Sequence, residues 1–219
     1  MTKLQIAVDL LSEEEAVLLA DDIHDVVDIF EIGTPMIIRD GLRPVRRIRE
    51  RYPDMMILAD TKIVDGGKLE CEDACKAGAD IVTVLAVADN ATVRGVVDTA
   101  HRYGRRAMAD LIQVRDIAQR ARDLVALGVD YVCVHTAVDV QSQDRTPLKD
   151  LRTLASVIPA ESAAAAGGIS SGTLRQYLLE KPGIVIMGGA LCSAPDVRAA
   201  VIGVRNQISQ FLESGAAVK

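Results

Sequence analysis

The sequence predicts a single (β/α)8 TIM barrel, and three observations carry that prediction. Eight apolar segments of strand length recur along the 219 residues, separated by stretches with 3.6-residue periodicity. A glycine-then-aspartate signature precedes two of them: Ala77-Gly78-Ala79-Asp80 before Ile81-Val82-Thr83-Val84, and Leu127-Gly128-Val129-Asp130 before Tyr131-Val132-Cys133-Val134. Each reads as a helix closed by glycine, an aspartate, then a buried strand. No Gly-x-Gly-x-x-Gly follows the first strand, which weakens an open dinucleotide-binding sheet as the alternative. Such regular alternation implies parallel pairing through right-handed crossovers, and no Pro-rich or Gly/Ser-rich linker divides the chain. One domain over 1–219 is expected.

The predicted strands are Leu4–Val8, Val27–Ile32, Met56–Ala59, Ile81–Leu85, Ala107–Leu111, Tyr131–Val134, Ser162–Ala166 and Ile184–Met187. The helix at Glu13–Ile23 places Ala16, Leu19, Ala20 and Ile23 on one face, and Ser12 with Glu15 forms a capping box at its start. Ile117–Leu127 repeats the pattern with Ala121, Leu124, Val125 and Leu127. The basic stretch from Arg39 to Arg51 reads as a solvated helix face rather than a surface that tracks phosphates.

Composition narrows the function classes. Hydrophobic residues make up 49% of the chain but aromatics only 3%, and Trp is absent, so the core must be aliphatic. A net charge of −6 without blocks of like charge argues against a nucleic-acid partner. No apolar run approaches the roughly 20 residues of a membrane span, and Met1 to Ile6 enters a strand without a signal-peptide stretch. Cys71, Cys75, Cys133 and Cys192 contain no CxxC pair and read as buried residues in a reducing cytoplasm.

In a barrel, chemistry belongs at the carboxyl ends of the strands. Asp9 closes the first strand, Glu31 the second, Asp60 and Lys62 the third, Asp110 the fifth and His135 the sixth. Gly167-Gly168 and Gly188-Gly189 end the seventh and eighth. Asp60-Thr61-Lys62-Ile63-Val64-Asp65 brackets an ammonium with carboxylates, a costly arrangement that folding alone rarely calls for. The glycine pairs suit a phosphate, which needs backbone N–H groups unobstructed by Cβ, and Ser170 and Ser171 are placed to cap a helix beside the first pair. Glu31 and Asp60, on adjacent strand ends, are candidate ligands for a divalent metal; the rival reading pairs Glu31 with Lys62. His135 is a candidate for proton transfer, or a histidine that only hydrogen-bonds its neighbours. His24 and His101 fall on helices and read as surface residues.

Taken together these residues resemble the orotidine monophosphate decarboxylase suprafamily, whose hallmark is Asp-x-Lys-x-x-Asp at the third strand. Within it the chain resembles the 3-hexulose-6-phosphate synthases over nearly its whole length. The matching stretches include Leu4-Gln5-Ile6-Ala7-Val8-Asp9, Glu31-Ile32-Gly33-Thr34-Pro35, Ala59-Asp60-Thr61-Lys62, Asp65-Gly66-Gly67, Asp110-Leu111-Ile112, His135-Thr136, Asp139 with Gln141, and Ala166-Gly167-Gly168-Ile169.

The resemblance implies an aldol reaction of formaldehyde with D-ribulose 5-phosphate, giving D-arabino-3-hexulose 6-phosphate, with Mg2+ (or Mn2+) on Glu31 and Asp60. It further implies proton removal or relay by His135, charge compensation by Lys62 held by Asp9 and Asp65, and phosphate anchoring by Gly167, Gly168, Gly188 and Gly189. It also implies a homodimer in which Asp65 reaches the neighbouring site. The related 3-keto-L-gulonate 6-phosphate decarboxylases typically carry Arg, Glu and Gly-Arg where this chain has Val138, Asp110 and Gly188-Gly189, so the synthase is favoured. A barrel that only binds sugar phosphate is a further alternative, against which the intact charged set argues. Ala86, the Pro195-Asp196 order and the run Ala163–Ala166 depart from the synthase pattern.

Overall fold

Alternation along each strand sorts side chains to two sides, and closure of the sheet turns those sides into an inside and an outside. The computed structural model describes residues 1–141 and 146–215; the expected domain over 1–219 thus extends beyond the described residues. Among these, β1 (Lys3–Val8), β2 (Ile29–Ile32), β3 (Ile57–Ile63), β4 (Ile81–Leu85), β5 (Arg106–Asp110), β6 (Tyr131–His135), β7 (Ala163–Ala166) and β8 (Ile184–Met187) close in sequence order. All neighbouring pairs are parallel, β8 with β1 included.

Helices fill each crossover. They are α1 (Glu13–Ile23), α2 (Thr34–Asp40), α3 (Arg43–Arg51), α4 (Gly67–Ala77), α5 (Asn90–Arg102), α6 (Ile117–Ala126), α7 (Val138–Gln141), α8 (Leu148–Ala155), α9 (Leu174–Leu178), α10 (Gly189–Cys192) and α11 (Val197–Gly215). The capping box at α1 forms as expected, with the Ser12 and Glu15 side chains each bonding the other's backbone N–H.

The core is aliphatic, as the composition requires. Leu4, Ile6, Val8, Phe30 and Ile32 pack outward under the helices, while Ile29, Leu58, Ile81, Met108, Cys133, Ala164 and Ile184 fill the barrel itself. Truncating a buried aromatic such as Phe30 to alanine is expected to cost about 3–5 kcal/mol. The barrel filling is not apolar throughout: Gln5, Glu31, Asp60, Thr83 and Asp110 are buried too.

The glycine-aspartate signature has a structural cause. Asp80, just ahead of β4, accepts the Ile57 N–H that opens β3 at 2.8 Å, and Asp130, ahead of β6, accepts the Ala107 N–H of β5 at 2.8 Å. Asp28 does the same for Leu4 of β1, also at 2.8 Å. In each case a carboxylate ties the start of one strand to the residue before the next, which fixes register at the amino-terminal rim. Asp80 also pairs with Arg49 and Arg105, in the wall of a shallow cavity on that face.

The arginine face is solvated, as expected, and its cations are also paired. On α3, Arg43 and Arg47 pair with Glu13, Arg49 with Asp80, and Arg51 with Asp21. The amino terminus of α1 and the loop before β4 each present a carboxylate to that face, so most of its cations lock neighbouring elements together.

Candidate active site

The site is built around an irregularity in β3. Its apolar run ends at Ala59, where the sequence pattern ends the strand, yet the strand continues through Asp60, Thr61 and Lys62 to Ile63. Ala59 pairs with Val82 and Ile63 with Val84, so the three residues 60–62 stand opposite the single residue Thr83 of β4. The extra residues form a bulge, a device that re-aims side chains beside functional sites. Lys62 takes the strain, with φ of 46° in the left-handed region, a conformation that costs a residue with a Cβ roughly 1–2 kcal/mol. Hydrogen bonds to Thr83 hold it. The Lys62 N–H donates to Thr83 Oγ1 at 2.9 Å, Thr83 Oγ1 donates to Asp60 Oδ1 at 2.8 Å, and Thr61 Oγ1 donates to the Thr83 carbonyl at 2.8 Å.

The bulge delivers the Lys62 ammonium to the centre of a ring of acids. It pairs with Asp60 Oδ2 and lies 3.5 Å from Asp110 Oδ2. Burial works against its charge, but Asp60 and then Asp110 outweigh burial and push its pKa above the ordinary lysine value. Asp110 in turn contacts His135, with Oδ2 2.8 Å from Nδ1, and accepts the Ile112 N–H at 2.8 Å. Burial opposes its ionisation, yet the His135 hydrogen bond and charge, with Lys62, hold its carboxyl below the usual range. Within the chain, among the described residues, Lys62 pairs with Asp60 and Asp110 and not with Asp9 or with its own chain's Asp65, whose expected place is the neighbouring site.

Asp9 is nevertheless at the site. A Cβ on Gly33 would lie 2.0 Å from Asp9 Oδ1, and one on Gly188 would lie 3.6 Å from Oδ2. The carboxylate therefore sits between the ends of β2 and β8, and Gly33 is needed for that approach. Burial, and then the charge of Asp60, raise its pKa. Asp65 stands apart: it is exposed in the loop after β3, where, among the described residues, its carboxylate accepts only the Gly66 N–H, at 2.7 Å.

Glu31 is buried and accepts a 2.6 Å hydrogen bond from Gln5 Nε2. Burial, then the neighbouring Asp60, drive its pKa well above the carboxylate range. Asp60 is also fixed by Thr34, whose hydroxyl lies 2.8 Å from Oδ2. The sites expected for a metal are thus two carboxylates from adjacent strands, with the Asp60 charge disfavouring ionisation of Glu31. No set of three or more Asp, Glu, His or Cys side chains suited to a metal occurs among the described residues. Two carboxylates fit Mg2+, which takes one or two and leaves its other positions to water and substrate oxygens. Among the described residues Lys62 pairs with Asp60 and Asp110 and not with Glu31, contrary to the rival reading.

On the far side of the mouth, Gly167 and Gly168 have φ of 99° and 73°. A Cβ on Gly167 would lie 2.3 Å from the Thr136 carbonyl, so glycine is required where β6 and β7 converge. Gly188 caps α10 and Gly189 begins it, which leaves first-turn N–H groups for an anion. Ser170 and Ser171 cap no helix. Ser170 instead closes a turn with Thr173, and α9 starts at Leu174 without a side-chain cap.

Three side chains at the centre had no role in the sequence reading: Gln5, Thr34 and Thr83. A signal existed, because Gln5 and Thr83 are polar residues inside otherwise apolar strands, at positions that alternate with outward-packed ones.

Comparison with known proteins bears on this geometry. Residues 2–203 match the model of the Orotidine 5'-phosphate decarboxylase / HUMPS family. The 3-hexulose-6-phosphate synthase 1 of Staphylococcus saprophyticus is 43% identical over 194 residues, 89% of this chain and 92% of the relative. The crystal structure of 3-hexulose-6-phosphate synthase from Salmonella typhimurium superposes with a TM-score of 0.93 at 40% identity, covering 96% of this chain and 100% of the other. That of 3-keto-L-gulonate-6-phosphate decarboxylase from Vibrio cholerae gives 0.84 at 26% identity, covering 96% and 98%.

Proposed function

The chain belongs to the Orotidine 5'-phosphate decarboxylase / HUMPS family and is an aldehyde-lyase, and from that premise we propose that it joins formaldehyde to D-ribulose 5-phosphate through an enediolate. The observation that carries the reading is the contact series Lys62–Asp110–His135, in which one buried carboxylate holds both a cation and a base. The greater likeness to synthases than to the Vibrio decarboxylase agrees with it.

The phosphate binds at the Gly167-Gly168 and Gly188-Gly189 amides, and this remote contact orients the reacting end of the ketose. Asp110 accepts from His135 Nδ1, which leaves Nε2 as the free base to take a proton from C1. The electron pair left behind spreads over C1, C2 and the C2 oxygen, and the Lys62 ammonium offsets that charge in a site poor in water. C1 then attacks the formaldehyde carbon, a carbon–carbon bond forms, and the former carbonyl oxygen takes up a proton to become the new hydroxyl. The product is D-arabino-3-hexulose 6-phosphate. Glu31 and Asp60 would hold Mg2+, whose contribution is Lewis-acid polarisation of the ketose oxygens.

The reading includes a homodimer. Among the described residues the Asp65 carboxylate meets only the Gly66 N–H, and Val64 and Leu69 beside it expose apolar side chains, which suits a surface closed by a second copy whose site Asp65 completes. No described helix is long and apolar enough to cross a membrane.

The test is a side-by-side assay with Mg2+: formaldehyde consumption with D-ribulose 5-phosphate, and CO2 release from 3-keto-L-gulonate 6-phosphate. Formaldehyde loss abolished by EDTA and by Asp60→Ala supports the synthase. CO2 release without formaldehyde loss assigns the site to the decarboxylase.

A further inference from the structure

Lys62 owes its position to a residue on another strand. The bulge leaves the Lys62 N–H without a regular ladder partner, and the hydroxyl of Thr83 supplies one. The same oxygen donates its hydrogen to Asp60, whose other carboxylate oxygen binds the Lys62 ammonium. The Thr83 main-chain carbonyl accepts from Thr61. One side chain, 3% exposed, therefore ties the backbone of the lysine to the carboxylate that holds its side chain, and closes the loop Lys62 N–H to Thr83 to Asp60 to Lys62 Nζ. A hydroxyl can do this because it donates and accepts at once. Valine has nearly the same shape and can do neither.

We propose that Thr83 is the positioning residue of the active site, setting the placement of the Lys62 ammonium and the orientation of Asp60 through its hydroxyl. It touches no substrate in this role. Its share lies in pre-organisation, where a misplacement of about 1 Å lowers turnover about 100-fold. The glycines proposed to bind phosphate follow β7 and β8, outside this hydrogen-bonded loop, so substrate affinity should change little.

The proposal rests on the proposed function only for the assay substrate, and the test keeps the two apart. In the condensation assay, Thr83→Val is expected to lower kcat about 100-fold while KM for D-ribulose 5-phosphate stays within about 3-fold, and Thr83→Ser to recover most of the loss. Acylation of Lys62, followed by mass spectrometry in the absence of substrate, should be slow in the wild type and in Thr83→Ser and several-fold faster in Thr83→Val. A kcat for Thr83→Val close to wild type, with unchanged Lys62 acylation, overturns the proposal. Equal losses in Thr83→Val and Thr83→Ser overturn it as well, because they remove the hydroxyl as the cause. Should Thr83→Val not fold, Thr83→Cys, similar in size with a weak donor, is read by the same two measurements. A wild type without condensation activity overturns the functional reading, and Thr83 then stands or falls on Lys62 acylation.

Discussion

Asp110 Oδ2 lies 2.8 Å from His135 Nδ1 and 3.5 Å from Lys62 Nζ, so one carboxylate oxygen contacts both the imidazole and the ammonium of the site. In Asp110→Asn the amide can present its N–H to Nδ1, which favours the tautomer with its proton on Nε2 and removes the base. A loss in kcat on the order of 10²–10⁴ is expected. His135→Ala should lose a similar amount, and the double variant little more, since residues that act as a unit are not additive. Steady-state kinetics of the three proteins check this; additive losses would separate the pair.

In the proposed mechanism the Lys62 ammonium serves the developing anion more than the bound ketose. Lys62→Met is therefore expected to lower kcat on the order of 10²–10³ with KM changed only a few-fold. A rise in KM with kcat preserved would instead make Lys62 a substrate-binding residue.

Glu31 makes stability depend on pH with a defined sign. Its carboxyl sits well above the ordinary 4.5 because it is buried beside Asp60. The folded state then holds a proton that the unfolded state has released, so stability falls as pH rises from 4.5 through the folded value. Relative to Glu31→Gln, the cation-free protein should lose stability over that window, and the difference should level off below 4.5. Mg2+ should reduce the loss by binding the ionised folded form. Urea midpoints measured against pH, with and without Mg2+, provide the check, and a difference that is flat across the window contradicts the prediction.

Asp65 offers a test of the dimer. If it completes the neighbouring site, Asp65→Ala and Lys62→Ala are each inactive alone, but a mixed dimer holds one intact site. Random mixing makes half the dimers mixed, each with one site of two, so about one quarter of wild-type activity returns. An absence of recovery places Asp65 with its own chain's Lys62.

Much of this architecture is legible in the sequence because local signals and tertiary demands agree. The strands read as apolar runs, and the aspartates ahead of β4 and β6 stand out because each must reach an N–H at the start of the preceding strand. The extent of β3 is not legible. Asp60-Thr61-Lys62 breaks the apolar pattern, and what keeps it in the sheet is Thr83, a contact across 21 or more positions that no local pattern encodes. The partners of Lys62 within the chain are likewise set by barrel closure, since Asp110 comes from β5. The pairing of the solvated α3 arginines is not legible because their partners Glu13, Asp21 and Asp80 lie on other elements.

The most direct measurement of the central claim omits formaldehyde. With D-ribulose 5-phosphate and Mg2+ in D2O, the account predicts that the protein exchanges a C1 hydrogen for deuterium, seen as loss of its proton NMR signal, and that His135→Ala and Asp110→Asn suppress the exchange. A wild-type protein that consumes formaldehyde but shows no C1 exchange, even at long incubation, would contradict formation of a free enediolate by His135.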